Sequence, residues 1–172
     1  MSDVLVPLAF LSNPDTFGGA PAGDCKRGVP FIKNGTLAGL APPAGGDVCM
    51  VIPHLSEAHC HLDKCHTIQR IGQVGGDLAH AIARQHADKD NWDEDDLRAR
   101  AQQGIAEAQG NGCRAIRSHV DWGDTAAPPL SWSVLLECAE DHPHLQLAAL
   151  CGIGQWADAE FAHKVGDLLA LT

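Results

Sequence analysis

The chain has 172 residues, 45% of them apolar, and a formal net charge of −10. That length supports one domain with a sizeable core, and the apolar fraction marks a globular chain rather than a disordered one. The acidic balance excludes partners held by phosphate attraction, so neither nucleic acid nor an anionic membrane surface is expected.

The opening stretch, "MSDVLVPLAFLSNPD", carries a short apolar run but places Asp3 where a signal peptide wants Lys or Arg. No transmembrane stretch follows, and the chain reads as cytoplasmic. Its seven cysteines are odd in number and irregularly spaced, which suits reduced thiols, several of them filling a core. Residues 1–52 are rich in Gly and Pro and hold the strand-like pieces "VPFIKNG", "TLAGL" and "DVCMVI". "KNG" is a turn signal between two β-type runs. This segment reads as part of a small, sandwich-like β domain with too few strands to close a core alone.

Residues 53–172 change character. "HLSEAHCH" reads as a strand, and "LDKCHTIQRIGQVGG" as a long loop. Residues 93–110 form an amphipathic helix, with Leu97, Ala101, Ile105 and Ala108 at helical spacing. Asp93, Glu94, Asp95 and Asp96 crowd its N-terminus, where the macrodipole favours acids, and "GNG" ends it. The wider run "DKDNWDEDD" reads as a solvated helix start rather than a cation site. "CRAIRSHVD" is a strand. "SWSVLLECAEDHP" is a helix with Val134, Leu135 and Cys138 on one face. "LQLAALCGI" is a strand, and "WADAEFAHKVGDLLALT" a helix that turns Phe161, Val165 and Leu168 to a core. Strands alternating with helices imply a parallel sheet with right-handed crossovers. Three such units fit a small open α/β fold, or the opening part of a (β/α)8 barrel.

Side chains alternate along a strand, so Leu55, Glu57, His59 and His61 share one face, opposite Ser56, Ala58, Cys60 and Leu62. His59 and His61 can then reach one ion from the strand's C-terminal end, where barrel enzymes build their sites. Neutral imidazoles suit Zn and Fe, although a catalytic zinc normally keeps three protein ligands plus water. The bland reading is that H-x-H arises by chance in a chain with ten histidines. A competing reading makes "HCHLDKCH" a structural zinc cluster using Cys60, Cys65 and His66. The absence of any C-x-x-C counts against it.

With these residues in place, "IPHLSEAHCHLDK", "AIRSHVDWGD" and "LQLAAL" resemble the amidohydrolase superfamily, and most of all its cytosine deaminase-like branch. The upstream "IKNGTLAGLAPP" resembles the strand-turn-strand that such enzymes place before the barrel. The resemblance implies the first three βα units of a metal-dependent (β/α)8, TIM-like barrel over 53–172, preceded by the partial β segment of 1–52. It implies hydrolysis of non-peptide C–N bonds by metal-activated water, as a deaminase or cyclic amidohydrolase acting on a nucleobase-like or other small heterocycle. His59 and His61 match the first-strand ligands of a divalent ion, Zn or Fe. The further ligands and the proton-shuttling glutamate that the family takes from strands five, six and eight have no counterpart in this sequence. The expectation is therefore an N-terminal portion, inactive alone, that joins a missing C-terminal part or a second copy. "CGIGQW" also departs from the cytosine deaminases, whose amide-binding glutamine lies a few positions from Gln155.

Around the pair, Arg117, His119 and Asp121 share one face of their strand, and Ile116, Ser118 and Val120 the other. Arg117 and Glu57 are expected to pair, unless the strand ends are simply solvated. His119, Asp121 and Gln155 are candidates for contacting substrate or supporting the ligands. Asp63 either orients a ligand histidine or caps the loop. Trp122, Trp132 and Trp156 read as packing residues, with Trp156 also placed to floor a pocket. The alternative from another class is a non-catalytic α/β binding or assembly module, or a truncated product, with open strands that template pairing.

Overall fold

The structure is a computed structural model that describes residues 2–171. It divides into two compact units, Met1–His54 and Leu55–Thr172.

The first unit holds five strands: β1 (Asp3–Pro7), β2 (Ala20–Ala22), β3 (Cys25–Lys33), β4 (Thr36–Ala41) and β5 (Val48–Met50). They run in the order β2-β3-β1-β5, with β4 added on β3. The "KNG" signal is the β3–β4 turn, where Asn34 and Gly35 both take positive φ (52° and 75°), as a tight hairpin requires. β1 and β2 are absent from the sequence reading. With them, Val4, Val6 and Leu40 close a small core after all. Asp3 has a reason to be there. It is buried, takes N–H bonds from Ala44 and Gly45, and pairs with Arg27 Nε at 2.8 Å. The Ala44 N–H does most to hold its carboxyl below the usual range. Gly28 is required sterically, because a Cβ there would sit 2.2 Å from the Ala41 carbonyl oxygen.

The second unit is a three-stranded parallel sheet in the order β6 (Leu55–Cys60), β7 (Cys113–Asp121), β8 (Leu145–Leu150). Between β6 and β7 run α1 (Ile68–Ile71), α2 (Leu78–Asp88) and α3 (Glu94–Gly110). α4 (Leu130–Asp141) joins β7 to β8, and α5 (Ile153–Ala157) and α6 (Ala159–Leu169) follow. α3 starts where its acids predict: the Asp93 carboxylate accepts the Asp96 N–H at 2.8 Å. Leu97, Ala101 and Ile105 of α3, Val134, Leu135 and Cys138 of α4, and Val165 of α6 are buried against Ile116 and Val120 of β7. The Trp122 and Trp132 rings meet edge-on in that core, 5.1 Å apart.

Four expectations need correction. The stretch 62–76 is not all loop: it contains a 3₁₀ turn, Leu62–Lys64, and the single turn α1. α2 lies outside the predicted elements, although Asp77 caps it by accepting the His80 N–H. "DKDNWDEDD" is not merely a solvated acidic run. Asp88 is buried, and its carboxylate takes Arg70, Asn91 and the Trp92 indole N–H, while Asp96 takes Arg70 and Arg100. An acidic run looks solvated in one dimension, and here Arg70 and Arg100 fold back onto it. Trp156 is 44% exposed and lies outside the buried core. No helix among the described residues is long and apolar enough to cross a membrane.

Candidate active site

The polar face of the second unit's sheet gathers three imidazoles. His59 is the penultimate residue of β6, His61 stands one residue beyond the strand, and His119 lies near the end of β7. The His59 and His61 ring centroids are 5.4 Å apart. His119 stacks on His59 at 3.8 Å and lies 6.1 Å from His61. Simple alternation does not produce this arrangement. Glu57 pairs with Ile116 and Cys60 with Ser118, so β6 spends three steps where β7 spends two. That bulge sits at His59, whose N–H is taken by the Glu57 carboxylate at 3.0 Å rather than by the ladder. Bulges re-aim side chains, and this one lies directly under the imidazole cluster.

The turn after the pair is anchored from several sides. The Leu62 N–H donates to the buried Ser118 Oγ at 3.0 Å. Arg100 Nη1 donates to the carbonyls of Asp63 and Cys65. Lys64 Nζ pairs with Asp121 Oδ2 at 2.7 Å. Asp63, held inside this turn, is only 1% exposed. Ser118, Arg100 and Lys64 were not singled out from the sequence. Two of them carry faint but physical signals: Ser118 is a hydroxyl on the apolar face between Ile116 and Val120, and Arg100 a guanidinium on the core side of α3.

Electrostatics favour the neutral form of His61 and His119. Burial, followed by the charge of Lys64, pushes the His61 pKa down. Burial and then His59 and Arg117 do the same to His119. Burial raises the Asp63 carboxyl to about 6 despite Lys64 nearby. Burial also opposes ionisation of Asp121, but its bond and charge interaction with Lys64 prevail and hold it low.

Neutral imidazole is the donor that a Zn or Fe site needs, and burial favours that form at His61. Two ring nitrogens, His61 Nδ1 and His119 Nδ1, are buried without a hydrogen-bond partner. In donor type the residues fit a metal. In number they do not complete a site: no group of three or more His, Cys, Asp or Glu among the described residues is arranged to hold an ion.

The remaining candidates sort differently. Arg117 does not pair with Glu57. It donates to Gln146 on β8 at 3.0 Å, because Glu57 is engaged with the His59 backbone. Gln155 has both ends of its amide on backbone, accepting the Gly152 N–H and donating to the Gly123 carbonyl, so it clamps the loop after β7 to α5. Cys60, Cys65 and His66 line one cleft with Glu107, on the side toward α3. Burial raises the Cys65 thiol and pushes the Cys60 thiol up to about 11, so both stay protonated near neutrality in the metal-free chain.

Fold and site together define a parallel α/β unit with an imidazole pair at the C-terminal end of its first strand. Over 141 residues the chain is 32% identical to a pterin deaminase from Rhizobium rhizogenes (strain K84 / ATCC BAA-868), a match that covers 76% of this chain and 32% of that protein. The chain thus spans about a third of the length of this curated relative. N-isopropylammelide isopropylaminohydrolase from Burkholderia multivorans ATCC 17616 shares the fold, with a TM-score of 0.53 at 18% identity over 99% of this chain and 43% of that one. No family model matches the chain. The two names point to deaminases and amidohydrolases.

Proposed function

We propose that this chain carries the first-strand ligands of a metal-dependent amidohydrolase, in the cytosine deaminase-like branch of the amidohydrolase superfamily. Its substrate would be a nucleobase-like or other small heterocycle, pterins included, hydrolysed at a C–N bond in the cytoplasm. The second unit would be the opening of a (β/α)8 barrel. The observation that carries the reading is the pair His59 and His61, their rings 5.4 Å apart at the C-terminal end of β6, with burial favouring the neutral form of His61. A divalent Zn or Fe ion, when bound, supplies a water acidic enough to ionise near neutrality. The chain's own part is narrower. His59 and His61 hold the ion by ring nitrogens, and the stacked His119 keeps the His59 ring in place. The Lys64–Asp121 pair holds the turn against the end of β7.

Two ligands fall short of the three that a catalytic zinc keeps. The remaining ligands and the proton shuttle would come from chain beyond the described residues or from an associated chain, and this chain alone would not turn over. The test is equilibrium dialysis of the purified chain against zinc, with ammonia release from pterin measured in parallel. Weak zinc binding that disappears in His59→Gln/His61→Gln, with no ammonia released, is expected. Zinc binding unchanged in the double variant would overturn the reading.

A second reading, a binding or assembly module without chemistry, draws on β6 and β8 both standing at sheet edges, with Leu55 and Leu150 exposed on them. Sedimentation of the purified chain as a stable homo-oligomer, with no zinc bound, would favour it.

A further inference from the structure

Two buried polar atoms face each other with neither satisfied. His61 Nδ1 and Asp63 Oδ1 lie 3.9 Å apart, and neither has a hydrogen-bond partner. Orphaned buried polar atoms are rare, because each forfeits the hydration it had in the unfolded chain. A relaxation of less than about 1 Å would bring the pair to ordinary N–H···O distance and satisfy both.

Asp63 is not placed there loosely. The turn that bears it is fixed to β7 through Leu62 N–H to Ser118 Oγ and through Lys64 to Asp121, and to α3 through Arg100. Three separate anchors on one 3₁₀ turn amount to a mount for one buried carboxylate. The groups facing His61 are Asp63, Lys64, Asp121, His59 and His119. Of these, Asp121 is already engaged by Lys64, so Asp63 is the acceptor left for the ring.

We infer that Asp63 is the positioning residue for His61: its carboxylate accepts the Nδ1 proton, fixes that tautomer, and leaves Nε2 with the lone pair that a bound metal would take. An imidazole has one lone-pair nitrogen when neutral, and whichever partner takes its N–H decides which nitrogen that is. The inference rests on the metal-site reading only in saying what Nε2 is for. The tautomer itself is a property of the metal-free chain.

The test is nitrogen NMR of the full chain labelled with 15N-histidine, metal-free at pH 8, with the His61 signals identified by their loss in His61→Gln. A His61 ring protonated at Nδ1 is expected, retained in Asp63→Asn, whose amide oxygen can still accept, and lost to the Nε2–H form in Asp63→Ala. A wild-type His61 protonated at Nε2 overturns the inference without recourse to any variant. So does an Nδ1–H tautomer that persists in a folded Asp63→Ala chain. Zinc added to the same sample separates the two ideas. If the Nδ1–H tautomer is present but the Nε2 signal does not move, the positioning role stands and the metal reading fails. If Nε2 shifts but the tautomer ignores residue 63, the reverse holds.

Discussion

Arg70 offers the sharpest test of how the second unit is held together. Its guanidinium bonds both oxygens of Asp88, at 2.6 and 2.9 Å, and both oxygens of Asp96. Arg70→Met keeps the aliphatic stem and removes only the charge and donors. Asp96 would retain Arg100, at 2.8 and 2.9 Å. Asp88, 4% exposed, would retain only the Trp92 indole and a long contact to Asn91. Stranding a buried charge costs about 3–5 kcal/mol. Arg70 is itself 33% exposed, so part of the interaction is screened, and the expected loss is about 2–3 kcal/mol. Arg70 is the main reason that Asp88 and Asp96 both ionise more readily in the folded chain, Asp96 down to about 2. Their contribution is therefore complete above the ordinary value of 3.8 and fades as pH falls toward about 2. The assay is urea unfolding followed by tryptophan fluorescence. All four tryptophans lie at or beyond Trp92, so the signal reports the second unit alone. Lys164→Met, which removes an exposed pair with Glu160, serves as control and should leave the unfolding midpoint unchanged. The gap between wild type and Arg70→Met should shrink by about half from pH 7 to pH 3. A loss below about 0.5 kcal/mol at pH 7, or a gap that ignores pH, would refute the reasoning.

Two further outcomes are expected. Ser118→Ala leaves the Leu62 N–H buried without an acceptor and should cost about 1–3 kcal/mol, with faster hydrogen exchange at Leu62; unaltered exchange would show that the turn does not depend on this bond. Alkylation by iodoacetamide, read by peptide mass spectrometry, should label exposed Cys49 first and Cys60 slowly at pH 7. The Cys60 rate should climb about tenfold per pH unit toward 11, and equal labelling of the two at pH 7 would contradict the burial argument.

Much of the second unit was legible from local chemistry. Asp93 announced the start of α3. Leu97, Ala101 and Ile105 announced its buried face, and the alternation of Ile116, Ser118 and Val120 announced which side of β7 packs. These follow from helix and strand periods, which are properties of neighbours in sequence. His59 and His61 stood out as a pair for the same reason. β1 did not, because Asp3–Pro7 becomes a strand only by pairing with β3 and β5, 18 to 45 residues away. The acidic run 88–96 misled, because its partner Arg70 lies 18 residues before Asp88 and 26 before Asp96. Glu57 and Arg117 were assigned to each other on facing strands, but the bulge before Cys60 turned Glu57 to the His59 backbone and left Arg117 to Gln146. Sequence by itself determined the elements with a strong internal period and the identity of the imidazole pair. Tertiary structure alone decided the His119 stack, the triple anchoring of the turn and the approach of Asp63 to His61, because each depends on groups that only the folded sheet brings within hydrogen-bonding or stacking range.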